Sequence, residues 1–130
     1  MDKNPIHKDR STDLGTVRIS NDAIATIASL AAMEVSGVHK MGGGATRTFC
    51  EHLFKRTTAK GIKIDLKDSE ARLTISIIAE YGADIPRIAD EVQENVKRAV
   101  EKMTGLVLSE VDVAVEGVYA EHKKQEARRI

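Results

Sequence analysis

Few residues in this chain have a type and spacing that could do chemistry, and none of them completes a catalytic constellation. His39, Cys50 and His52 could be drawn around a metal ion. They form neither a CxxC nor an HxxxH pair, the spacings that bring two ligands onto one ion. Gly42, Gly43 and Gly44 suggest a phosphate cradle, but no Gly-Lys-Ser/Thr follows and no strand–GxGxxG–helix frame surrounds them. A flexible hinge is the plainer reading. Ser36 and Ser109 lack the GxSxG elbow, and no histidine falls on a regular element where it could activate them. Asp90, Glu91, Glu94 and Glu101 alternate with Arg87, Lys97, Arg98 and Lys102, and Glu94–Arg98 has the favourable i,i+4 order. That describes a solvated, salt-bridged helix face, with docking of a charged partner as its functional counterpart. No catalytic residue, cofactor site or metal site is expected.

One stretch has the make-up of a docking surface. Phe49 and Phe54, the only phenylalanines, bracket Cys50 and Leu53, and positions 49, 50, 53 and 54 share a face if the segment is helical. Lys40, Arg47, Lys55, Arg56 and Lys60 stand against Glu51, a local charge of +4. Arg47, Phe49, Leu53, Phe54, Lys55 and Arg56 are the candidate docking residues, a basic amphipathic anchor for a protein or a membrane surface. The same apolar face could instead lid the open end of the core.

Composition narrows the partners. Lys plus Arg and Asp plus Glu each total 20, so no broad basic field steers the chain onto nucleic acid or anionic lipid. Aromatics make up 3% and tryptophan is absent, which argues against stacking platforms for bases. A single cysteine permits no intrachain disulfide and makes a reducing compartment the expectation. The first fourteen residues have no apolar core of a signal peptide, and no run approaches the ~20 apolar residues of a membrane span. The expected location is cytoplasmic.

The elements that must position these residues follow from periodicity. Leu73, Ile75, Ile77 and Ala79 alternate as a strand, and Gly82 breaks it. Ile85, Ile88, Ala89, Val92, Val96, Ala99, Val100 and Met103 then recur at helical spacing. Asp84 is the expected N-cap; Gly105 is the expected stop, with Leu106 folding back on Val100 in a Schellman-type contact. Upstream, 16–19 reads as a strand with Val17 and Ile19 facing in. Ser20 caps a helix over 21–36 with Ile24, Ile27, Ala28, Ala31 and Val35 as its stripe, and Gly37 ends it. Ile62, Ile64 and Leu66 alternate with polar residues, and a turn at Asp68-Ser69-Glu70 predicts an antiparallel hairpin. Val111, Val113 and Val115 form a last strand, loosened at Gly117.

These elements make one α+β domain over 15–118: a βαββαβ two-layer sandwich, with two helices on one face of a four-stranded antiparallel sheet. Residues 1–14 read as a mobile tail, 39–60 as a Gly-rich basic linker and 119–130 as a charged tail. The expected outward set is Arg18, Lys63, Asp65, Lys67, Thr74, Ser76, Glu80, Asp112 and Glu116. An RNA-recognition domain shares this order, but its central strands carry exposed aromatics. Here those positions are Arg18, Thr74, Ser76, Ile78 and Glu80, so nucleic acid is not an expected partner.

Three blocks, GTVRISNDAIATIASLAAMEVSGV, KGIKIDLKD and IIAEYGADIPRIADEVQENVKRAVEKMTGLVLSEVDVAVEGV, resemble the alkaline shock protein family, also described as envelope stress response proteins of mainly Gram-positive bacteria. Gly15, Ser20, Ile27-Ala28, Gly37-Val38, Tyr81-Gly82, Val96-Lys97, Met103-Thr104-Gly105 and Val111 carry the likeness. The resemblance implies a non-enzymatic protein supporting envelope homeostasis. It would act as a scaffold or adaptor that binds itself or a paralogue, as a homo-oligomer near the membrane's cytoplasmic face. Any membrane association would be indirect, through a membrane-anchored paralogue. The alternatives are a small regulatory module that binds a metabolic enzyme, and, more remotely, an RNA-binding domain.

Overall fold

The computed structural model describes residues 10–43, 61–67 and 70–121. In chain order they form β1 (Arg10–Thr12), β2 (Gly15–Val17), α1 (Asn21–Met33), β3 (Val38–Met41), β4 (Ile62–Lys67), β5 (Glu70–Glu80), α2 (Ile85–Thr104) and β6 (Leu108–Tyr119). The class is α+β as expected: α1 and α2 pack on one face of a four-stranded sheet built around β5.

Both helices begin at their expected caps, but α1 stops at Met33 with Glu34 as its C-cap, short of the expected end at Gly37. The Ser20 side chain accepts the Ala23 N–H at 3.2 Å, and Asp84 Oδ1 accepts the Arg87 N–H at 3.4 Å. Ile24, Ala28, Ile88, Val92, Val96 and Val100 are fully buried, so each apolar stripe is the face laid on the sheet. Met103, expected on that stripe, is exposed; Thr104 takes the inward place and bonds the Val100 carbonyl at 2.6 Å. Gly105 ends α2 in the left-handed region at φ +82°, with its N–H on the Glu101 carbonyl at 2.9 Å. That is the simple αL ending rather than the expected Schellman motif, because the Leu106 N–H is taken by Thr104 Oγ1 at 3.1 Å.

Strand assignment departs from expectation in two places. The stretch 16–19 does not enter the main sheet. Gly15–Val17 pairs with Arg10–Thr12 in a separate hairpin, and Val17 is exposed, while Ile19 packs at the core's edge. The place expected for it is taken by β3, which begins one residue after Gly37. The last strand is also longer than its valine run, and it lies parallel to β5. Strands β3 and β4 are antiparallel to β5, as expected; Asp68 and Ser69 of the expected turn lie outside the described residues. The parallel pairing has a mechanical cause. A 20-residue helix spans ~30 Å, close to the ~36 Å of the 11-residue β5, so α2 carries the chain back to the start of β5. Leu108 accordingly lies opposite Ala71.

Along β5, Ala71, Leu73, Ile75, Ile77 and Ala79 are buried beneath the helices, whereas Arg72, Thr74, Ser76, Ile78 and Glu80 alternate to the other side. The exposure of Lys63, Asp65, Glu80, Asp112 and Glu116 matches the expected outward set. This open face positions every functional feature described next.

Candidate functional site on the open sheet face

The β3–β5 and β4–β5 registers show that two strands share one edge. Val38 opposes Ala79 and Met41 opposes Ile77, while Ile62 to Lys67 oppose Ile75 to Glu70 in the same direction. β3 and β4 are thus halves of one edge strand, interrupted by the seventeen residues 44–60. Both sides of the interruption meet at one residue of β5. The Ser76 carbonyl accepts the Gly42 N–H at 2.7 Å, and the Ser76 N–H donates to the Gly61 carbonyl at 2.8 Å.

The glycines here are not the flexible hinge expected from sequence. Gly42 and Gly43 are buried. A Cβ at Gly42 would lie 2.7 Å from Glu116 Oε1 and 3.0 Å from Ser76 Cβ; the Gly43 N–H donates to the same Glu116 oxygen at 3.0 Å. Gly61, at φ +81°, would place a Cβ 3.1 Å from the Ser76 carbonyl oxygen. Glycine is required because three backbone segments converge where side chains would collide. Gly44 and the candidate docking residues Arg47, Phe49, Leu53, Phe54, Lys55 and Arg56 lie outside the described residues, as do Cys50 and His52.

Both neighbours of β5 bulge at the same level. On one edge His39 and Lys40 are fitted against Ile78; on the other, register slips between Val115 and Gly117 and displaces Glu116. A bulge adds a residue to one strand and re-aims the side chains beside it. Here it sends His39 and Glu116 across the open face from opposite edges. Glu116 reaches over β5 to Gly43. His39 lies flat on Tyr119, with ring centroids 3.9 Å apart and planes within 5°.

That stacked pair forms one wall of a groove of about 740 Å³, completed by Glu80, Tyr81 and Glu121. Its floor is held by the bond from the Tyr81 N–H to the Tyr119 carbonyl at 2.8 Å, and the Glu80 N–H is anchored on the Gly37 carbonyl at 2.9 Å. Both tyrosines of the chain therefore line one groove. Sequence reading missed this site. Tyr119 fell in the expected charged tail, and Tyr81 figured only among the residues that carry the resemblance.

Elsewhere the charged face of α2 is solvated, as expected, with Arg87–Glu91 at 3.0 Å and Lys97–Glu101 at 2.8 Å. Glu101 does more than decorate that face. Its Oε2 also accepts the Leu108 N–H at 2.8 Å, and Lys97 Nζ donates to the Leu108 carbonyl at 3.0 Å. The Lys97 hydrogen bond, then that of Leu108, holds the Glu101 carboxyl below its ordinary range against the opposing pull of desolvation. No group of three or more His, Cys, Asp or Glu residues among those described is arranged to hold a metal ion. Among the same residues no helix is long and apolar enough to cross a membrane.

Comparison with known proteins agrees with the residues that carried the resemblance. The profile of the alkaline shock protein 23 family, described as having a cell envelope-related function, matches residues 9–120. The uncharacterized protein YqhY of Bacillus subtilis is 34% identical over 122 residues, covering 94% of this chain and 89% of that protein. YloU of the same organism is 31% identical over 113 residues, covering 82% and 91%. A stress response regulator gls24 homolog of Streptococcus pyogenes is 27% identical over 114 residues, covering 83% and 64%. Among solved structures, a MamM CTD variant in its copper form aligns with a TM-score of 0.47 at 15% identity, covering 75% of this chain and 98% of that one.

Proposed function

Because the chain belongs to the alkaline shock protein family, whose function is cell envelope-related, we propose that it is a non-enzymatic scaffold or adaptor that binds a protein partner, itself or a paralogue, near the membrane. One observation carries this reading. The edge strand is joined to Ser76 of β5 by Gly42 on one side of residues 44–60 and by Gly61 on the other. A stretch with two phenylalanines and four basic residues, inserted between two points already bonded to β5, suits a segment used for docking. The stress-response name of the streptococcal relative supports the same setting.

The test pairs association with stability. Phe49→Ser combined with Phe54→Ser abolishes co-purification with the partner and the larger species seen by size measurement with membrane extract, and it leaves the melting temperature unchanged. A large loss of stability in that variant assigns the two rings to the core instead and overturns the docking role.

A further inference from the structure

We propose that the outer face of α1 is a self-association surface, on which a second copy of this chain lays its own α1 antiparallel about a two-fold axis. The proposal rests on the reading of a protein that binds itself and names the contact surface. It does not depend on residues 44–60.

α1 carries two apolar stripes where a surface helix needs one. Ile24, Ala25, Ala28, Ala31 and Ala32 are buried on the side laid against the rest of the domain. On the far side Ala23, Thr26, Leu30 and Met33 are all exposed, Leu30 at 61% and Met33 at 41%. Their steps of three, four and three residues are those of a helix–helix seam. Asp22 is the one charged residue in the 13 of α1, in a chain of which 31% is charged; α2, by contrast, turns ion pairs outward. α2 also widens the patch. Ala31 lies beside Asn95 and Gly37 beside Ile88, so the two helices run antiparallel and Met103, 66% exposed, comes level with Ala23.

The order of sizes along the seam selects the occupant. Small side chains, Ala23 and Thr26, fill its first half and large ones, Leu30 and Met33, its second. In an antiparallel pair Ala23 meets the second copy's Met33, and Thr26 meets its Leu30, so every level holds one small and one large side chain. Parallel pairing would crowd Leu30 and Met33 against their own kind and leave a void at Ala23. The stripe complements its own inverse, which is the condition for a closed two-fold contact. Antiparallel pairing also sets the positive end of each helix dipole beside the negative end of the other.

Sedimentation velocity of the full-length chain tests this, with reductant present so that Cys50 cannot cross-link copies. A reversible dimer is expected between about 10 µM and about 1 mM, the range in which a small interface fills. Thr26→Lys and Leu30→Glu each bury an unpaired charge in the seam and weaken the dimer by about tenfold or more. Both positions are exposed in the single chain, so the melting temperature at low concentration stays that of the parent. An equimolar mixture of the two variants restores a dimer, because the new ammonium of one copy faces the new carboxylate of the other. A monomer throughout the range, a dimer indifferent to both substitutions, or a mixture that stays monomeric would each overturn the proposal. A dimer that survives Leu30→Glu but is lost in Phe49→Ser with Phe54→Ser belongs to the docking segment alone, which sinks this surface and leaves that reading standing. If the parent is monomeric and Leu30→Glu abolishes its flotation with phosphatidylglycerol-containing vesicles, the face serves a lipid surface and the proposal fails.

Discussion

Gly37 and Ile88 are in contact so close that a methyl group cannot be placed between them. A Cβ on Gly37 would fall 2.5 Å from Ile88 Cδ1 and 2.9 Å from Cγ1, and Gly37 sits at φ +103°. Its carbonyl also accepts the Glu80 N–H at 2.9 Å. One residue thus joins the connection between α1 and β3, the first turn of α2 and the end of β5. Gly37→Ala meets both overpacking and a backbone region that L residues avoid, and is expected to cost roughly 3 kcal/mol. Adding Ile88→Ala relieves the collision, so the double variant loses less than the sum of the singles. Urea unfolding of the four proteins measures this; strict additivity would mean the contact is not the cause.

Glu101 links the last turn of α2 to the first residue of β6, and its lowered pKa gives that link a pH signature. The folded-state value lies below that of the unfolded chain, so the stabilisation is complete above the ordinary carboxylate range. It is lost as pH falls through the folded value. Glu101→Gln is expected to cost about 1 kcal/mol at neutral pH, discounted for the partial exposure of the pair. The gap from wild type should close in acid. Unfolding free energies across that range test it, and a gap independent of pH would remove the carboxylate from the account.

Asn95 is the polar residue that ties the two helices together. Its Nδ2 donates to the Ala31 carbonyl at 2.8 Å and to Glu34 Oε1 at 3.1 Å, at the end of α1 where the Ala31 carbonyl also accepts the Glu34 N–H at 3.3 Å. Asn95→Leu keeps the volume, removes the donor and is expected to cost about 1 kcal/mol. Thermal unfolding reads the loss; an unchanged melting temperature would show that water replaces the amide at no cost.

The broken edge strand makes a sharper forecast. Replacing residues 44–60 by a four-residue Gly-Ser connection leaves β3, β4 and their pairing with β5 intact, because Gly42 and Gly61 already meet at Ser76. The melting temperature should stay within about 4 °C of the parent, the shift that roughly 1 kcal/mol produces in a domain of this size. A larger fall would mean that the replaced residues contribute to the core.

Local periodicity determined much of this molecule. Ile88, Val92, Val96 and Val100 could lie on one face only as a helix, Leu73 to Ala79 could alternate only as a strand, and Ser20, Asp84 and Gly105 marked ends that the coordinates keep. With the family resemblance, that was enough for the class, the helix-covered face and the polar outer face. Tertiary structure alone decided the rest, because bulges and strand partners have no local signature. The bulge at His39 puts Val38 and Met41 on the core side three positions apart, so β3 shows no alternation to read. Whether β6 runs parallel to β5, and whether two short strands make one edge, depends on hydrogen bonds between residues far apart in the chain. The groove follows from those same decisions. His39, Tyr81 and Tyr119 are scattered in sequence, and only slipped registers on both sides of Ile78 bring their rings together.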